Sequence, residues 1–187
     1  MEASLIQRIA AHEAGHAIIC AKLGLGRVRA LRLTPSGGQA EVDLRPTAGL
    51  REDIDALLIY QLAGRAAERM ICGNASGGAG GPSDSDLARA TKTAIAAEVS
   101  LGLAKTLVWQ PADSTALKDP ALRARIDKRL RSAEARAVAL LRDDRERLER
   151  LAEALADERL LEGEALKWLL AAPLPDPEAH HEPARQS

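Results

Sequence analysis

The chain has 187 residues, of which 46% are hydrophobic and 2% aromatic, and its net charge is −1. That fits one globular domain with a core of Ala, Leu, Ile and Val. It argues against the basic, base-stacking surface of a nucleic-acid binder, and no apolar run nears the roughly 18 residues that span a bilayer. Cys20 and Cys72 stand alone in apolar helical contexts, which reads as two buried free thiols. No secretory leader is legible, because Glu2 and His12-Glu13 interrupt the N-terminal stretch. The expectation is a cytoplasmic protein with no membrane or nucleic-acid partner.

The first predicted element is a helix from about Ser4 to Leu23, ended by Gly24 and Gly26. Leu5, Ile9, His12, His16, Ile19 and Leu23 follow helical spacing, so the two histidines continue its apolar stripe. Within it, His12-Glu13-Ala14-Gly15-His16 reads H-E-x-x-H. Residues four apart stack on one helix face, so His12 and His16 can reach one metal ion. Glu13 lies about 100° round from His12 and about 60° from His16. It flanks the ion without having to ligate it, where the general base for a zinc-activated water belongs. The competing reading is a pair of core histidines satisfied by hydrogen bonds. Against it, both histidines outside the C-terminal tail fall in this one motif. A mid-helix Gly15 also costs about 1 kcal/mol against Ala, which suits a close approach to the backbone there.

Two short strands are predicted next, Arg27–Thr34 and Gln39–Leu44, joined by turn residues Pro35-Ser36-Gly37-Gly38. An exposed edge strand can hold an extended peptide through main-chain hydrogen bonds. Gly38, Gln39, Ala40, Glu41 and Val42 are therefore candidate substrate-binding residues, with a plain structural hairpin as the alternative. A single second helix is expected from Thr47 or Gly49 to Cys72, with Gly73 as its cap. Its run Leu62-Ala63-Gly64-Arg65-Ala66-Ala67-Glu68 is rich in small residues and suits close helix packing. Arg65 and Glu68 would then be partly buried and in need of partners. The glycine-rich loop 73–82 lacks the Gly-Lys-Ser/Thr ending of a P-loop and reads as a mobile rim. Ser83, Asp84 or Ser85 caps a third helix, about Asp84 to Gly102.

A catalytic zinc site needs a third protein ligand and an open position for water. Cys20 is eight residues from His12, about 12 Å along the axis, and too far to share the ion. Glu68, Asp84 and Asp86 remain, and spacing does not choose between them.

Downstream, Leu107-Val108-Trp109 reads as a short strand or an extended plug. Asp119-Pro120 starts a helix with Pro at its first position. Residues 120 to about 157 form one broken helix or two, with Leu122, Ile126, Leu130, Ala133, Ala137 and Leu141 as the apolar stripe. Gly163 to Leu170 is a last short helix. Residues 173–187, with His180 and His181, are expected to be a disordered tail, leaving residues 1–172 as one domain. The fold class is mainly α with a small β-hairpin or sheet.

Three segments in order carry a resemblance: His12-Glu13-Ala14-Gly15-His16-Ala17, Leu62 to Glu68, and Ser85-Asp86-Leu87-Ala88-Arg89-Ala90-Thr91. Glu98 to Leu103 and Arg147 to Glu164 extend it. Together they resemble the peptidase domain of the FtsH family, membrane-bound AAA+ zinc proteases, over about residues 3 to 171. The resemblance implies Zn²⁺ held by His12, His16 and Asp86, with Glu13 catalytic, and leaves Glu68 and Arg65 supporting roles. It also implies a protein or peptide substrate, and leaves open a homo-oligomer and a partner unfoldase acting in trans. No Walker A sequence occurs in the chain, and the family's Thr-Thr-Gly segment is replaced by Gly80-Gly81-Pro82-Ser83. The expected function is therefore an ATP-independent zinc endopeptidase acting on unfolded or flexible segments. The alternatives are a regulatory protease with one dedicated substrate, or a catalytically silent zinc-bearing module.

Overall fold

The structure is a computed structural model, and it describes residues 2–171. The expected tail at 173–187 lies outside the described residues. In chain order the elements are α1 (Ala3–Lys22), β1 (Gly26–Thr34), β2 (Gly37–Leu44), α2 (Arg51–Gln61), α3 (Ala63–Ile71), α4 (Asp86–Val99), α5 (Pro120–Asp143), α6 (Arg145–Glu158), β3 (Leu160–Glu162) and α7 (Gly163–Leu170). The fold is mainly α with one small antiparallel sheet of order β2-β1-β3.

α1 is the central helix. Ala10, Ala11, Ala14, Ala17, Ile18, Ile19 and Cys20 are all buried. α3, α6 and the sheet pack around it, and Leu31, Leu141, Leu148, Leu151 and Leu155 complete that core. A second core joins α2, α4 and α5 through Leu58, Leu62, Ala90, Ala94, Ile95, Leu122 and Ile126. With no Phe in the chain, both cores rest on aliphatic side chains and on alanines small enough for helices to pack closely.

Local chemistry sets the element ends. Gly24 takes a left-handed φ of 59° just beyond α1. Ser85 caps α4 by accepting from the Ala88 N–H, and Asp119 caps α5 by accepting from the Ala121 and Leu122 N–H groups, with Pro120 at the first turn. Residues 120–158 form two helices, α5 and α6. Arg159 closes α6 with a left-handed φ of 65°, and its carbonyl accepts from the Leu33 N–H at 2.8 Å.

Three expectations change. The single helix to Cys72 is two helices, because the chain bends at Leu62 (φ −102°, ψ 1°). The bend lets α2 pack on α4 and α5 while α3 packs on α1. Leu107-Val108-Trp109 is neither strand nor plug; these side chains are 92%, 64% and 68% exposed. The third helix stops at Val99, and Gly102 (φ 66°) lies beyond it. The sheet also has a third strand that alternation did not reveal. β3 pairs with β1 and leaves one edge of β2 free within the described sheet.

Candidate active site

His12 and His16 project from α1 toward the start of α4, where Asp86 is the first helical residue. His12 Nε2 lies 2.9 Å from Asp86 Oδ2, His16 Nε2 lies 3.2 Å from the same oxygen, and the two Nε2 atoms are 3.2 Å apart. The other face of each ring fixes its tautomer. His16 Nδ1 is 2.9 Å from the Tyr60 carbonyl, which only accepts, so Nδ1 carries the hydrogen. His12 Nδ1 donates in the same way to Glu68 Oε1 at 2.8 Å. In the neutral rings both Nε2 atoms therefore present bare lone pairs, facing each other and a carboxylate oxygen.

Three lone-pair donors this close repel unless positive charge lies between them. Burial pulls the His12 imidazolium down, but its bonds to Asp86 and Glu68 overcome this and raise its pKa to about 10. Burial pushes Asp86 up, and its bonds to His12 and His16 more than reverse that, holding it well below the usual carboxylate range. The arrangement thus favours positive charge between these three atoms. Ligands about 2.0–2.1 Å from a tetrahedral zinc are separated by about 3.3 Å, close to the observed triangle of 2.9, 3.2 and 3.2 Å. Among the described residues no fourth His, Cys, Asp or Glu joins these three, so one tetrahedral position stays free. The donor set fits zinc.

Glu68 is 2% exposed and also accepts from Arg8 Nη1 (3.2 Å) and the Ser76 N–H (2.7 Å). Burial raises its pKa, but His12 and Ser76 outweigh burial and bring it to about 2. Arg8 continues to the Asn74 carbonyl and Oδ1, tying the glycine-rich loop to α1. The other half of the small-residue run acts through absence of side chain. A Cβ at Gly64 would overlap the His12 ring, and one at Gly15 would lie 2.6 Å from Ala67 Cβ. These two glycines let α3 press against α1 at the motif.

Glu13 is 7% exposed and keeps clear of the three-donor cluster. Burial raises its pKa, opposed by His16 and His12. β2 covers it: a Cβ at Gly38 would lie 2.6 Å from Glu13 Oε1, and the Ala40 amide is among the groups stabilising its charged form. The candidate substrate strand 38–42 therefore passes directly over Glu13. Asp84 and Cys20 stay outside the cluster; Cys20 is fully buried, which pushes its thiol up to about 11. Arg65 finds its partner in Glu134, at 2.9 Å, away from the site. Sequence reasoning missed the Tyr60 carbonyl, since every residue carries one. It also missed Arg8, Asn74 and Ser76, whose separation in sequence hides their meeting.

Comparison with known proteins adds a decisive finding. Residues 2–169 match the profile of Peptidase family M41. The chain belongs to peptidase family M41. Similar proteins include the "ATP-dependent zinc metalloprotease FtsH" of Acidothermus cellulolyticus, 31% identical over 94% of this chain and 29% of that protein. "ATP-dependent zinc metalloprotease FtsH 1" of Salinibacter ruber is 34% identical over 88% of this chain and 26% of its own length. The FtsH of Methylibium petroleiphilum is 35% identical, over 87% and 30%. The chain thus spans less than a third of the length of these curated relatives.

Proposed function

We propose that residues 1–172 form a zinc endopeptidase domain that hydrolyses peptide bonds in unfolded or flexible protein segments without ATP. The observation that carries this is the triangle of His12 Nε2, His16 Nε2 and Asp86 Oδ2, with Glu13 next to His12 on α1. Family membership and the names of the relatives support the coarser part of this reading, a zinc metalloprotease. Among the described residues no helix is long and apolar enough to cross a membrane.

When bound, zinc supplies an acidified water and polarises the peptide carbonyl. His12, His16 and Asp86 would hold it, with Glu68 and the Tyr60 carbonyl keeping the two rings in the ligating tautomer. Glu13 takes the proton released in the attack and passes it to the departing nitrogen; its raised pKa suits a group that must both accept and donate. The free edge of β2, at Gly38, Gln39, Ala40, Glu41 and Val42, aligns an extended substrate by main-chain hydrogen bonds. Its substrates would be unfolded or flexible protein segments, or proteins delivered by a partner unfoldase.

The test is cleavage of an unfolded protein without ATP by the wild type and Glu13→Gln, with zinc measured in both. The expected outcome is activity and one zinc per chain in the wild type, and zinc without activity in the variant. Equal activity in both proteins would remove Glu13 from the mechanism, and absence of zinc from both would sink the site.

A further inference from the structure

The cations around the site differ in how they are used. Arg8 is tied to Glu68 and Asn74. Arg65 and Arg69 turn to Glu134. Lys92 donates to the Ser83 carbonyl at 2.6 Å. Arg89 is exposed, and among the described residues no hydrogen bond or ion pair holds its side chain.

Its place on α4 makes that freedom meaningful. Arg89 is three residues after Asp86, one turn along the same side of the helix, so their Cβ atoms are about 5–6 Å apart. Asp86 Oδ2 already touches both histidine rings. A long, unrestrained guanidinium one turn away can sweep the mouth of the cluster. The Tyr60 ring, edge-on to His16 with centroids 5.2 Å apart, locates it further. Burial, then the Cys20, Asp86 and Glu13 charges, push the Tyr60 phenol up to about 12, and Arg89 is the neighbour that opposes them. Arg89 therefore belongs to the charged groups around Tyr60, whose ring packs on His16, while β2 covers Glu13.

We propose that Arg89 is a specificity-determining residue, which draws an acidic side chain of the substrate to a position beside the scissile bond. The inference rests on the peptidase reading above. A guanidinium at the rim pairs with a carboxylate in bidentate fashion, and Lys reproduces its charge but not that geometry. Its contribution is to binding, so it is carried in KM and not in kcat.

The experiment uses quenched-fluorescence peptides that carry Glu, Gln or Lys at successive positions around the cleaved bond. At one position the wild type is expected to cleave the Glu peptide with a kcat/KM at least about threefold above its Gln counterpart, the size of an exposed ion pair. Arg89→Ala equalises Glu and Gln, Arg89→Lys keeps part of the preference, and Arg89→Glu turns it toward Lys, all with unchanged zinc content. The same peptides bound to Glu13→Gln, with and without Arg89→Ala, give affinities independent of turnover. A wild type without preference, or one whose preference survives Arg89→Ala, overturns the inference while the peptidase reading stands. Arg89-dependent binding without any cleavage by the wild type upholds the inference and overturns the catalytic reading. Neither binding preference nor cleavage overturns both.

Discussion

Glu68 shows how much of the site lies one side chain removed from the proposed metal. Its carboxylate gathers three donors, from His12, Arg8 and Ser76, and through them fixes a ring, a helix and a loop. In Glu68→Gln the ring loses a charged acceptor, and Arg8 is left without its ionic partner. Zinc affinity is expected to fall by about 10- to 100-fold, the usual cost of removing such an outer partner. Competition against a chromophoric chelator measures it, and unchanged affinity would reduce Glu68 to a packing residue. Part of this is legible in the amino-acid order. The four-residue spacing of His12 and His16 declares a shared face, and the small residues before Glu68 declare close packing. Asp86 is not legible from spacing, since 70 residues separate it from His16. A family resemblance supplied it, and in the folded chain its Oδ2 lies 2.9 Å from His12 Nε2 and 3.2 Å from His16 Nε2.

Among the elements, α4 carries the most consequence for its length. It delivers Asp86 from its first turn, and that turn is held by the Ser85 hydroxyl. Ser85→Ala is expected to cost about 1 kcal/mol in urea unfolding and to weaken zinc retention as the helix start frays. A loss of stability with zinc affinity intact would separate the cap from the site. Helix existence was readable throughout from apolar periodicity. The bend at Leu62 was not, because main-chain hydrogen bonds run through it, from Leu62 N–H to Leu58 and from Ala66 N–H to Leu62. No Pro marks the spot, Gly64 two residues on serves the close approach to His12, and packing on two different partners distinguishes α2 from α3. β3 was equally silent: three residues are too few for an alternation to show.

At the scale of the whole molecule, the cluster joins parts that the cores keep separate. His12 and His16 stand on α1, in the core with α3, α6 and the sheet, whereas Asp86 opens α4, in the core with α2 and α5. An ion bound by all three stabilises the folded state alone, by about 2.7 kcal/mol at a free concentration one hundred times its Kd. For a chain of this size that corresponds to a rise in melting temperature of about 5–10 °C. A thermal melt before and after chelation, with re-addition of zinc, measures the shift; identical melts would mean that the cluster binds no metal in solution.

The division of the ligands between two cores also bears on cooperativity. With the ion in place, opening either core exposes a broken coordination shell, so amides of α1 and α4 exchange hydrogen together in one global event. Stripped of it, the α2–α4 side is linked to α1 chiefly through α5 and the bend at Leu62, and its amides exchange through a smaller, earlier opening.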